Sequence, residues 1–178
     1  MDITIRKVEE KDAGIFQTIR VTVWKDAYAH IFPESVFENQ QKKLSEYIAN
    51  TPKRLLDDNF NYYLAEVDKK PVAIMVVAKI SEYEHYASLG YADLQALYIL
   101  PHYQGLGIGT KLFKYAVNLI ADQGAEKMVI GVLKDNQMAQ KAYKKWGGKL
   151  DNYEQPFVKE GKNYAEVFYI YEPLDKFR

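Results

Sequence analysis

The chain has 178 residues, no cysteine, and 24 Lys+Arg against 24 Asp+Glu, for a formal net charge of zero. That length suits one domain burying roughly two-thirds of its unfolded surface, so a single domain over residues 1–178 is expected. The absence of a basic excess argues against a nucleic-acid partner, and the absence of thiols excludes disulfides, thiolate metal sites and an acyl-cysteine intermediate.

Residues 1–7 alternate like a strand and lack the apolar core of a signal peptide. The longest apolar run, 72–78, is far too short to cross a bilayer, so a soluble, cytoplasmic protein with no membrane partner is expected. Ile15, Ile19, Val23 and Ala27 then recur at helical spacing, with Asp12 as a possible cap, and this first helix ends near His30. Pro33-Glu34-Ser35 opens a second helix through Leu44 and Ile48, closed by Thr51-Pro52.

Residues 62–67 and 72–77 flank Asp68-Lys69-Lys70-Pro71 as two antiparallel strands, the second fully buried. A polar, aromatic-rich connection over 81–92 leads to a strand over 93–100, ended by Pro101. Gly109, Leu112, Phe113, Ala116, Val117 and Ile120 form the apolar stripe of the next helix, which Gly124 stops. A strand over 127–133, a helix over 136–146 stopped by Gly147-Gly148, and a hairpin of 149–157 with 164–171 complete the chain. The class is α+β, with a mixed, mostly antiparallel sheet of about seven strands and about four helices. An edge strand such as 164–171 could support a homodimer.

The stretch Gln104-Gly105-Leu106-Gly107-Ile108-Gly109-Thr110 is the chemically suggestive one. Its glycines let the backbone approach a ligand without a Cβ in the way, and a helix follows whose first N–H groups face the same place. An anion belongs there, although a plain tight turn remains open from the loop alone. Neither common nucleotide motif fits. The glycines fall as G-x-G-x-G rather than G-x-G-x-x-G, and Thr110-Lys111 reverses the Lys-Ser/Thr order of a P-loop.

Gln104 to Gly109 is similar to the Q/R-x-x-G-x-G/A signature of the GNAT superfamily of acetyl-CoA-dependent N-acetyltransferases. Downstream, Asn136, Ala139, Tyr143 and Gly147 resemble the family's N-x-x-A-x-x-x-Y-x-x-x-G helix. The resemblance implies that the amides from Gly105 through Leu106, Gly107, Ile108 and Gly109 to Thr110 hold the coenzyme A pyrophosphate. It also implies that the backbone of Leu97 and Ile99 pairs with the pantetheine arm and that Asn136 contacts that arm. Arg or Lys often stands beside the family's loop glycines; here Lys111 is the nearest charge, so the amides would carry the binding. Acetyl-CoA is then the cosubstrate. His30, His85 and His102 lack ligand spacing, and no metal is expected.

An alkyl amine with a pKa near ~10 must lose a proton before attacking a thioester, and the leaving thiolate must gain one. With no cysteine and no G-x-S-x-G serine, direct attack in a ternary complex is favoured over a covalent acyl-enzyme. By the resemblance Tyr143 is the general acid. Asp93, four residues before Leu97, is the candidate base, with Glu66 on a neighbouring strand as the alternative through a water. For the acceptor, Trp24, Tyr28, His30, Phe32 and the Glu82-Tyr83-Glu84-His85-Tyr86 run suit a cationic amine of polyamine-like character. A protein N-terminal or lysine acetyltransferase, which would need an open groove where 81–92 is read as a lid, and a non-catalytic acyl-CoA sensor are the alternatives.

Overall fold

The computed structural model describes residues 2–178, so Met1, where the expected first strand opens, lies outside it. The elements are β1 (Ile3–Lys7), α1 (Ala13–Tyr28), α2 (Glu34–Lys42), α3 (Leu44–Leu55), β2 (Phe60–Val67), β3 (Lys70–Ala78) and α4 (Glu84–Ser88), followed by β4 (Ala92–Ile99), α5 (Ile108–Asp122), β5 (Met128–Leu133), α6 (Gln137–Lys145), β6 (Lys149–Lys159) and β7 (Lys162–Tyr171). The strands form a seven-stranded sheet in the order β1-β2-β3-β4-β5-β7-β6. β1/β2, β5/β7 and β6/β7 run antiparallel. β4 and β5 are parallel and joined through α5, the kind of crossover that parallel neighbours require. The α+β class and strand number match expectation, with six α-helices among the described residues where about four were expected.

By contact the chain divides into two compact units, one made of the residues up to Val77 with Ala96–Phe113, the other of Ala78–Gln95 with Lys114–Arg178. In the first, Phe16, Ile19 and Val23 of α1 pack on Leu64 of β2 and on Ile74 and Val76 of β3, with half-buried Ala96 and Tyr98 of β4 against them. The buried stripe of α1 therefore runs through Ala13, Phe16, Ile19 and Val23, and Ile15 is exposed, because Phe16 beside it takes the core position. Asp12 does not cap α1 with its side chain. Its carboxylate instead receives the Arg6 guanidinium at 2.6 and 2.9 Å and the Glu9 amide at 2.9 Å.

The expected second helix is two, α2 and α3, and Pro52 sits inside α3 rather than ending it. A tertiary contact holds that turn. Buried Thr51 accepts from Gln17 Nε2 at 3.0 Å and donates to the Tyr47 carbonyl at 2.8 Å, tying α3 to α1 across the residue that lacks an N–H.

In the second unit β7 lies between β5 and β6, so 164–171 is not an edge; β6 is, with Pro156 within it. The register assigns the faces. Asp93 of β4 and Ile170 of β7 both pair with Val129 of β5, which puts Asp93, Val129, Gly131, Glu166, Phe168 and Ile170 on one face. Tyr169 pairs with Ile130 and lies on the other.

The aromatic connection docks on the Asp93 face. Tyr86 packs with Tyr91, Val129 and Phe168, and His85 stacks on Tyr153 at 4.0 Å. Tyr83 crosses β5 at Gly131 and donates to Glu166 Oε1 at 2.9 Å, lying so low that a Cβ on Gly131 would overlap its hydroxyl oxygen. Gly131→Ala should expel the Tyr83 ring. In chemical denaturation Tyr83→Phe should cost about 1 kcal/mol in the wild type and close to nothing in the Gly131→Ala background, where the hydrogen bond is already lost.

Candidate functional site

The strand that feeds the glycine loop is β4, and Pro101 ends it. Gly105 and Gly107 have φ of +73° and +83°, a region that side chains with a Cβ adopt only under strain, and α5 begins at Ile108. The first amides of α5 have no partner within the helix, so the loop and helix start offer backbone donors. The flanking side chains are engaged locally. Gln104 Nε2 donates to the Ile99 carbonyl at 3.0 Å, tying the loop to the end of β4, and Lys111 donates its ammonium to the Ile3 carbonyl on β1. Lys111, expected to be the nearest charge for a bound anion, is thus directed at β1.

Asp93 is 0 % exposed. Its Oδ2 accepts from the Ser81 hydroxyl at 3.2 Å, and its Oδ1 has no hydrogen-bond partner. Burial pushes this carboxyl up to about 7; the Ser81 hydroxyl and the Glu82 amide pull it down, and the carboxylates of Glu82 and Glu166 push it further up. Glu166, itself 7 % exposed, is satisfied by neutral donors only, Tyr83 and Gln155 Nε2, the latter at 2.9 Å. The residues that make this site acidic without a cation, Ser81 and Glu166, stand 12 and 73 positions from Asp93 on other elements, and no spacing in the sequence marks them.

Tyr143 projects from α6 with its ring 5.8 Å from Tyr169 and 5.7 Å from Trp146. It is therefore on the opposite sheet face from Asp93. Asn136 is the N-cap of α6, its Oδ1 accepting from the Ala139 amide at 3.1 Å. Tyr171 holds the end of that helix through the Tyr143 carbonyl at 2.9 Å.

Trp24, Tyr28 and Phe32 come together, with ring centroids 4.8 to 5.6 Å apart. Sequence reasoning missed Tyr98, whose hydroxyl oxygen accepts from Trp24 Nε1 at 3.0 Å, and Arg20, whose guanidinium lies 4.4 Å over the Tyr47 ring. The period-2 alternation of β4 with Ala96 was the available signal for Tyr98. His30 is exposed just beyond α1. Glu66 accepts from Arg6 Nε at 2.8 Å on β2, and β3 separates that strand from β4. The expectation that Glu66 neighbours the central strand is corrected by this order.

The sequence profile described as the Acetyltransferase (GNAT) family matches residues 22–148, a span that includes β4, the glycine loop, Asn136 and Tyr143. The chain belongs to the GNAT family. An uncharacterized N-acetyltransferase of Mycobacterium bovis is 39% identical over 59 residues, which are 33% of this chain; the match spans 38% of that relative's length. Among solved structures, PaiA N-acetyltransferase from Thermoplasma acidophilum in complex with coenzyme A aligns with a TM-score of 0.71 at 22% identity, covering 94% of this chain and 98% of that one. A chimera of spermidine N-acetyltransferase SpeG from Vibrio cholerae and hSSAT aligns with a TM-score of 0.73 at 16% identity, covering 99% and 98%. At such identities these likenesses concern the GNAT fold. No helix among the described residues is long and apolar enough to cross a membrane, and no group of three or more His, Cys, Asp or Glu among them could hold a metal ion.

Asp93 also ties stability to pH. Its carboxyl sits above its unfolded value near 3.8, so the folded state favours the protonated form: the stabilisation is present below about pH 4 and is lost as pH rises through about 7. Asp93→Asn should accordingly be the more stable protein at pH 8, by up to about 4 kcal/mol, with the difference closing by pH 4. Thermal melts of both proteins across that range check it.

Proposed function

We propose that this GNAT chain is an N-acetyltransferase that moves the acetyl group of acetyl-CoA to the primary amine of a small cationic, polyamine-like molecule by direct attack in a ternary complex. The observation that carries the reading is Asp93, a wholly buried carboxylate with one unpartnered oxygen on the strand that leads into the glycine loop. Such a group has a use for an ammonium proton. Its acidity near neutral pH leaves it ionised in an appreciable fraction of molecules and still able to accept.

The residues fit the cosubstrate by their donor chemistry. The amides from Gly105 to Thr110 would hold its pyrophosphate by backbone alone, since Gln104 and Lys111 are engaged elsewhere. β4 runs on past Asp93, its last residue in register with β5, so the backbone of Leu97 and Ile99 can receive an extended arm as an added strand would. Acetyl-CoA supplies the activated thioester carbonyl. Asp93 takes the proton the attacking amine must lose, and Tyr143 gives one to the departing sulfur from the opposite sheet face, so that neither group has to do both.

Two features support a small acceptor over a protein one. The 81–92 connection is docked by Tyr83 on Glu166 and by Tyr86 within the aromatic cluster, so that this stretch is packed down on the Asp93 face of that unit. Asp93 and Glu166 have no Lys or Arg in ion-pair distance among the described residues, which favours a cation arriving from outside. The spermidine N-acetyltransferase chimera of the same fold is consistent with this chemistry.

An amine panel followed by coenzyme A release tests the assignment, and turnover only on peptides would overturn the small-molecule reading. Tyr143→Phe should lower kcat about 10- to 100-fold with acetyl-CoA binding nearly intact. Asp93→Asn should remove the acidic limb of the rate profile near pH 7, whereas Glu66→Gln should keep it.

A further inference from the structure

The first unit contains a guanidinium that the fold does not neutralise. Arg6 is paired with Asp12 and Glu66, and Arg178 with Asp122 and Asp175. Half-buried Arg20 has no carboxylate within ion-pair distance among the described residues. Its Nε donates to Gln17 Oε1 at 2.6 Å, and its Cζ lies 4.4 Å from the centre of the Tyr47 ring, to which it is also hydrogen-bonded. Both partners are uncharged, and they use only part of its five donors.

That arrangement is held rigidly. Gln17 is fixed by Thr51, and Thr51 by the Tyr47 carbonyl, so the guanidinium is clamped between α1 and α3. Burial lowers the pKa of Arg20, the charge of Arg54 lowers it further, and the tyrosines Tyr47 and Tyr98 offset this only in part. A fixed, partly desolvated cation with no carboxylate beside it and a second cation acting on it is costly to keep unless something anionic arrives. Beside it is an aromatic wall. Tyr98, hydrogen-bonded by Trp24 and Tyr28, stands on β4 between Leu97 and Ile99, the residues given above to the pantetheine arm.

Resting on the transferase reading above, we propose that Arg20 binds a carboxylate of the acceptor, with Trp24, Tyr28 and Tyr98 lining the aliphatic part, so that the acceptor class is a basic amino acid of lysine or ornithine type. The acceptor keeps the polyamine-like chain and amines, and gains one anionic end. Arg is the suitable residue for this, because its planar fork matches two carboxylate oxygens at once.

Lysine with cadaverine, and ornithine with putrescine, are matched pairs that differ only by the carboxylate. Steady-state kinetics by coenzyme A release, and calorimetric titration of the same amines, are run on the wild type, Arg20→Met and Arg20→Lys. The amino acids should exceed their decarboxylated partners in kcat/KM by about tenfold or more. Arg20→Met, which keeps an apolar stem over Tyr47, should raise KM for lysine by a similar factor, leave kcat within about twofold, and leave cadaverine unchanged. Arg20→Lys, which keeps the charge without the fork, should show an intermediate loss on the amino acids alone, and it carries the test should the Met variant not fold. The proposal is overturned by wild-type preference for the decarboxylated diamines, by equal losses on both members of a pair, or by lysine binding that neither variant weakens. If acetyl-CoA binds and no amine is acetylated, the transferase reading falls, while calorimetry still decides whether Arg20 holds a carboxylate.

Discussion

A carboxylate withdrawn from water without a cation is the constraint around which the second unit is arranged. Asp93 is held by a hydroxyl and an amide, with one oxygen left over, and the nearest charges it senses are other carboxylates. Isolated ionised groups of this kind are expensive, and proteins answer the cost by protonating them or by pairing them. Here the pairing is absent, so the group is poised between its two states near neutral pH. Burial, Ser81, Glu82 and Glu166 together keep it in that condition.

The glycine loop proposed to hold the cosubstrate shows the opposite arrangement. Side chains that could have helped hold a phosphate are turned to structural contacts, Gln104 onto the end of β4 and Lys111 onto β1. What remains is backbone, shaped by two glycines with positive φ and by the start of α5. Donors of that kind do not titrate, so a site built from them would be insensitive to side-chain pKa. Arg20, proposed to select the acceptor's charge, differs from these side chains in the first unit because Gln17 and Tyr47 fix it and no carboxylate pairs with it.

Much of this was legible from residue order, and particular residues show why. The hairpin at Asp68-Lys69, the burial of β3, the stripe of α5 and the stop at Gly147 are local matters of alternation, helical period and turn chemistry, and they stand where the spacing put them. Errors came where a distant partner outweighed a local rule. Pro52 did not end α3, because Gln17 holds Thr51 from another helix; Asp12 did not cap α1 by its side chain, because Arg6 claims it; and Ile15 yielded the core to Phe16.

The sequence by itself determined the glycine loop on its strand, the Asn136 and Tyr143 helix downstream, and with them the family, since each rests on spacing within one or two neighbouring elements. It also placed Asp93 on the central strand. Only the tertiary structure decided what Asp93 is: its burial, its missing partner and its acidic neighbours depend on the packing of residues up to 73 positions away. The same holds for the opposition of Asp93 and Tyr143 across the sheet, which follows from register, and for the lack of a carboxylate beside Arg20, which follows from which groups two helices and a strand bring near it. Electrostatic environment is a property of the whole packed neighbourhood, and no local pattern encodes it.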